Sequence, residues 1–174
     1  MISVMSSMML AIALALFPSP ASAAERGDRA FTREMALEIQ LPTPIEMSQT
    51  FGDLEYERAP FLGLLVDLNG DGVPEYLVRA APARCSERGC PYAIFDGASF
   101  HSLGTIFGSV IYVRAARSEQ FAIINTFSPN GGDSATYTTY AYNHTRYVAR
   151  ESVQVSGDAL RRLRDELAGA QSGR

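Results

Sequence analysis

From Phe61 to Gln154 the chain breaks into short runs rich in Val, Ile, Tyr, Phe and Thr, separated by turn residues. That spacing leaves no room for helices of ordinary length and favours short strands joined by tight turns. The expected strands are 61–66, 75–81, 91–96, 100–106, 109–114, 121–126, 135–142 and 145–154. Asp96-Gly97 and Asn143-His144 look like hairpin turns. Strands joined by such turns lie antiparallel, so the expected core is a meander. The run 135–142 alternates plainly: Ala135, Tyr137, Thr139 and Ala141 share one face, and Thr136, Thr138, Tyr140 and Tyr142 the other.

Helical patterns are expected at both ends of this β region. Asp28 can cap a helix over 29–40, with Phe31, Met35 and Ile39 four apart on one face and Pro42 and Pro44 ending it. Residues 45–59 are acidic and aromatic without a clean period and read as loop or short irregular structure. Near the C-terminus Asp158 can cap a helix with a Leu160, Leu163, Leu167 stripe. Arg161 with Asp165 and Arg162 with Glu166 would decorate its wet face, and Gly169 would end it. The expectation is one α+β domain over 24–174, mostly an antiparallel β meander with an N-terminal and a C-terminal helix. A chain of 174 residues with 47% hydrophobic content can fill such a core.

Chemistry concentrates in Asp67-Leu-Asn-Gly-Asp-Gly-Val-Pro-Glu75. Asp67, Asn69 and Asp71 place hard side-chain oxygens at every second position, and Glu75 follows after a gap at Val73. One short loop with this spacing can wrap its oxygens around a cation. Ca²⁺ suits it, because Ca²⁺ takes six to eight oxygen ligands in a flexible shell. Val73 would offer its backbone carbonyl, and Gly70 and Gly72 give the curl its freedom. The expected ligand set is Asp67, Asn69, Asp71, Val73 and Glu75, with an affinity of roughly 10⁻⁴–10⁻³ M. Asp, Asn and Gly also dominate plain turns that hold no metal. Four oxygens on one spacing, and the mutual repulsion of three carboxylates, favour the cation.

The loop is not an EF-hand: Val78 stands where that motif needs a bidentate Glu, and both flanks read as strands. It resembles the calcium loops of integrin-type (FG-GAP-like) repeats, in which Asp-x-Asn-x-Asp-Gly-x-x-Glu runs straight into a strand. A propeller of such repeats would carry the loop several times, and here it occurs once. From Pro60 to Val148 the chain resembles short exported bacterial proteins of unknown function. Those carry one such loop, a Cys-x4-Cys turn and a Tyr/Thr-rich strand like Thr136-Tyr-Thr-Thr-Tyr140. The resemblance implies a calcium loop and export, and it brings no activity.

Residues 1–23 read as a signal peptide. Met8 to Phe17 is an apolar run too short to span a membrane, and Ala21-Ser22-Ala23 is a small-x-small cleavage pattern. The run departs from the usual pattern in having no Lys or Arg before it. The implied location is periplasmic or secreted, with no membrane span after cleavage. In such a setting Cys85 and Cys90 are expected to pair as a disulfide. A redox or thiolate-metal role fits less well, since the spacing is not Cys-x-x-Cys and no further ligands stand nearby.

No catalytic constellation matches the loop in quality. Ser128, His144 and Asp133 could be drawn as a triad, but no Ser lies in a nucleophile elbow. A net charge of −4 gives no support for nucleic-acid binding. The segment 127–134 looks like a long loop that could meet a protein partner. The sequence therefore favours a small exported Ca²⁺-binding module, structural or interacting with a protein or cell-envelope partner. The alternatives are a periplasmic inhibitor or binding protein acting through 127–134 and, more remotely, a hydrolase.

Overall fold

The computed structural model describes residues 28–46 and 61–172. The signal peptide, and most of the irregular stretch expected after Ile45, lie outside those residues. The strands are β1 (Arg29–Thr32), β2 (Leu37–Ile39), β3 (Phe61–Val66), β4 (Glu75–Arg79) and β5 (Cys90–Phe95). After them come β6 (Ser102–Gly108), β7 (Val110–Ser118), β8 (Phe121–Gly131), β9 (Ser134–Tyr142) and β10 (Tyr147–Ser156). A single helical turn, α1 (Thr43–Glu46), precedes β3, and α2 (Gly157–Ser172) closes the described chain.

The strands form two five-stranded sheets rather than one meander: β1-β7-β8-β9-β10 and β2-β3-β4-β5-β6. Every named pairing is antiparallel. The break falls at Gly108-Ser109, where the Ser109 N–H and hydroxyl both donate to the Phe127 carbonyl. A Cβ at Gly108 would meet Thr126 Cβ at 2.7 Å, so only glycine lets β6 pass this close to β8.

Alternation along the strands gives each sheet two apolar faces. The inner faces pack together through Leu64, Leu77, Tyr92 and Ile94 from one sheet and Ile111, Val113, Ile124 and Tyr147 from the other. Outside the first sheet, Tyr112, Phe127 and Ala135 receive Leu160 and Leu167 of α2. Outside the second, Val78, Ala93 and Phe95 receive Leu41 and Ile45 beside and within α1. The architecture is a β-sandwich with helical cover on both outer faces.

Over 29–40 the described residues form β1, one 3₁₀ turn at Arg33–Met35 and β2 rather than an α-helix, which corrects the α+β expectation to a mostly β fold with one long helix, at the C-terminus. The Phe31, Met35, Ile39 stripe does not share one face. Phe31 and Met35 pack on the sandwich interior, whereas Ile39 packs outside the second sheet. Pairing of β1 with Val110–Val113 of β7 outweighs the weak propensity of a short isolated helix. Asp28, expected as a cap, instead accepts the Ala115 N–H at 2.7 Å and the Tyr112 hydroxyl at 2.9 Å, and pairs with Arg114 at 3.1 Å. These contacts hold its carboxyl below the usual range, against the opposing effect of burial.

Most strand boundaries also shift; β7 and β8 run on to Ser118 and Gly131, past the expected 114 and 126. The sixth strand begins at Ser102 because Phe100 has φ 61°, so His101 lies outside it. The C-terminal helix runs through Gly169 to Ser172. Arg161 pairs back with Asp158, and Glu166 turns to Tyr112 and Arg114.

Candidate metal centre

The loop between β3 and β4 starts one residue after Val66, whose register partner is Glu75. Its curl is built by side chains bonding their own backbone. Asp67 accepts the N–H of Gly70, and its other oxygen takes that of Gly72 at 3.3 Å. Asn69 Oδ1 accepts the Asp71 N–H at 2.9 Å, and Asp71 Oδ1 accepts the Val73 N–H at 2.7 Å. Asn69 Nδ2 donates to Asp71 Oδ2 at 2.9 Å. Gly70 and Gly72 hold φ 82° and 88°, the left-handed region in which most other residues are strained. Val73 is 41% exposed and held through its N–H.

Glu75 differs from the other members. It is fully buried, and its Oε2 accepts the Leu68 N–H at 2.5 Å. Its Oε1 is buried with no hydrogen-bond partner. Burial pushes its carboxyl up to about 7, with the charges of Asp71 and Asp96 adding to the rise and the Leu68 N–H opposing it. A buried carboxylate oxygen without a partner is costly to keep charged. It calls for a proton or a cation.

In the sequence Asp96 stands out only as part of a hairpin turn. In the fold that turn sits against the loop: a Cβ on Gly97 would fall 2.3 Å from the Pro74 carbonyl oxygen and 2.9 Å from Val73 Cγ1. Asp96 Oδ1 accepts the N–H groups of Ala98 and Ser99 and the Ser99 hydroxyl. Two short hairpin signals, at 67–75 and at Asp96-Gly97, were the sequence's only hint that the acids would gather at one end. Arg117 gave no such hint. Its Nη1 reaches the Asn69 carbonyl at 2.5 Å and the Gln120 carbonyl at 2.6 Å.

The residues fit Ca²⁺ in chemistry, with hard oxygens, three carboxylates in one loop and an unsatisfied buried oxygen. Accepting one N–H leaves a carboxylate oxygen a further lone pair for a cation. Among the described residues, however, no three His, Cys, Asp or Glu side chains come together as a ready metal site. In this geometry the loop is shaped by its internal hydrogen bonds.

The other predicted sites resolve clearly. Cys85 and Cys90 form the disulfide, with Cα atoms 4.3 Å apart, closing a turn in which Ser86 and Gly89 exchange backbone hydrogen bonds. The stretch 127–134 is not a loop: Phe127 to Gly131 belong to β8 and Ser134 opens β9. Phe127 and Ser128 are buried, so the expected partner-binding loop shrinks to the Gly132-Asp133 tip. The imagined triad is also broken. Ser128 pairs with Thr136, while His144 lies beyond Tyr142, about 20 Å along the strand, beside Glu119 at 3.3 Å.

Compared with known protein families, with curated proteins and with solved structures, the chain matches none. The likeness to integrin-type calcium loops therefore rests on the loop residues themselves. Among the described residues no helix is long and apolar enough to cross a membrane.

Proposed function

We propose that this chain is a small exported Ca²⁺-binding module in which the cation rigidifies one end of a β-sandwich, with a structural or interaction role and no chemistry of its own. The observation that carries the reading is the buried, partnerless Oε1 of Glu75 within reach of the charge of Asp71. Asp67, Asn69 and Asp71 supply the remaining side-chain oxygens, Val73 a carbonyl, and Ca²⁺ the charge that offsets the three carboxylates. The Met8–Phe17 apolar run, the Ala21-Ser22-Ala23 pattern and the disulfide support a periplasmic or secreted location.

The test is thermal melting of the mature chain in millimolar Ca²⁺, in millimolar Mg²⁺ and in chelator. The reading expects the melting temperature to rise in Ca²⁺ and to rise less in Mg²⁺, which demands tighter octahedral geometry. Identical curves in all three conditions would remove the cation from the account and leave Glu75 protonated.

A further inference from the structure

Leu68 connects the candidate centre to the opposite sheet. Its N–H donates to Glu75 Oε2 at 2.5 Å, and its carbonyl accepts the Ala122 N–H at 2.7 Å. Its side chain is fully buried in the core between the sheets. The Ala122 carbonyl in turn accepts the Tyr147 hydroxyl at 2.8 Å. A hydrogen-bond path thus runs from the Glu75 carboxylate through Leu68 to β8 and β10. Arg117 braces it, holding the Asn69 carbonyl and the Gln120 carbonyl of the β7–β8 turn with one nitrogen.

Among the described residues, no covalent bond or strand pairing links the two sheets at the loop end. The β3–β4 hairpin belongs to one sheet and the β7–β8 hairpin to the other. What Glu75 does therefore decides how firmly Leu68 is held, and Leu68 is what Ala122 holds.

We propose that cation occupancy of Asp67–Glu75 is transmitted through Leu68 to Ala122, locking the two sheets together at this end, with Arg117 as the positioning residue. This rests on the calcium reading above. A cation on Oε1 fixes the carboxylate with Oε2 turned to Leu68. In its absence the Glu75 carboxyl is held only by its Leu68 contact, so the Leu68 peptide groups and the β7–β8 turn open more often.

The experiment is amide hydrogen exchange by NMR on the mature protein, in saturating Ca²⁺ and in chelator, alongside calorimetric titration with Ca²⁺. The reporter is the Ala122 amide. The control is the Ser109 amide, which bonds the Phe127 carbonyl at 2.8 Å at the far end of the sandwich. The expected result is that Ca²⁺ slows exchange at Ala122 at least tenfold more than at Ser109. In Arg117→Gln, compared with the parent at Ca²⁺ saturation as read by the titration, the selective slowing at Ala122 should fall away. Binding heat with equal slowing at both amides would overturn the transmission and leave the calcium reading standing. Absence of binding heat in a folded protein would overturn both. Selective slowing that persists in Arg117→Gln would overturn the role given to Arg117.

Discussion

The two ends of the sandwich are held by different means. At one end the Cys85–Cys90 disulfide closes the β4–β5 connection, and Gly89 packs so tightly on Gly108 that a Cβ would come within 2.2 Å of backbone. At the other end the β3–β4 loop, the Asp96-Gly97 turn and the β7–β8 turn gather Asp67, Asp71, Glu75 and Asp96 around a few hydrogen bonds. The first end is cross-linked whatever the ionic conditions. The second is stable only if its buried carboxyl finds a proton or a cation. One end of the sandwich thus carries a covalently closed turn whatever the ionic conditions, whereas the other depends on the state of one buried carboxyl.

The largest expected effect is the pH response of the conditional end. In chelator the folded state holds Glu75 at about 7, above its ordinary 4.5, so between these values the native state keeps a proton that the unfolded chain has released. The stability this gives is full below the lower value and is lost as pH rises through the upper one, a fall of about 3 kcal/mol. Urea melts across that window should show the fall in the parent, less of it in excess Ca²⁺, and little in Glu75→Gln. A fall of the same size in Ca²⁺ would break the comparison, because the cation would not be meeting Glu75.

Removing the permanent staple comes next. Replacing Cys85 and Cys90 together by Ala should cost about 2 kcal/mol on the chain-entropy model, equally in Ca²⁺ and in chelator. A loss seen in only one condition would mean that the two ends are coupled rather than independent. Asp71→Asn keeps an oxygen for the Val73 N–H but drops the charge. At about 10 mM Ca²⁺ it should remove most of the roughly 1–3 kcal/mol that occupancy contributes, with little change in chelator. The smallest effect belongs to His144→Ala, whose exposed pairing with Glu119 should be worth under about 0.5 kcal/mol in thermal melts.

Much of the β pattern was legible because each strand carries its own alternation. The Ala135/Tyr137 and Tyr140/Tyr142 faces fall as expected: Ala135 lies under α2, and Tyr140 and Tyr142 pack against the interior. The N-terminal stripe misleads because three apolar residues four apart satisfy a helical period, while the partner strand β7 lies about eighty residues away and leaves no local trace. The stretch 127–134 misleads because Pro129, Asn130, Gly131 and Gly132 signal a long turn. The β8–β9 pairing absorbs Pro129 to Gly131 instead, with a register shift between Pro129 and Gly131, and the turn is only Gly132-Asp133. At the centre, the spacing of Asp67, Asn69, Asp71 and Glu75 was plain. The isolation of Glu75 Oε1 and the approach of Asp96 were not, since both arise from packing between hairpins.

The most direct measurement is a crystal structure grown with millimolar Ca²⁺. The account predicts a cation about 2.3–2.6 Å from Glu75 Oε1, with Asp67 and Asp71 oxygens turned to it. Glu75 Oε1 still buried without a metal, and those two carboxylates facing solvent, would contradict it.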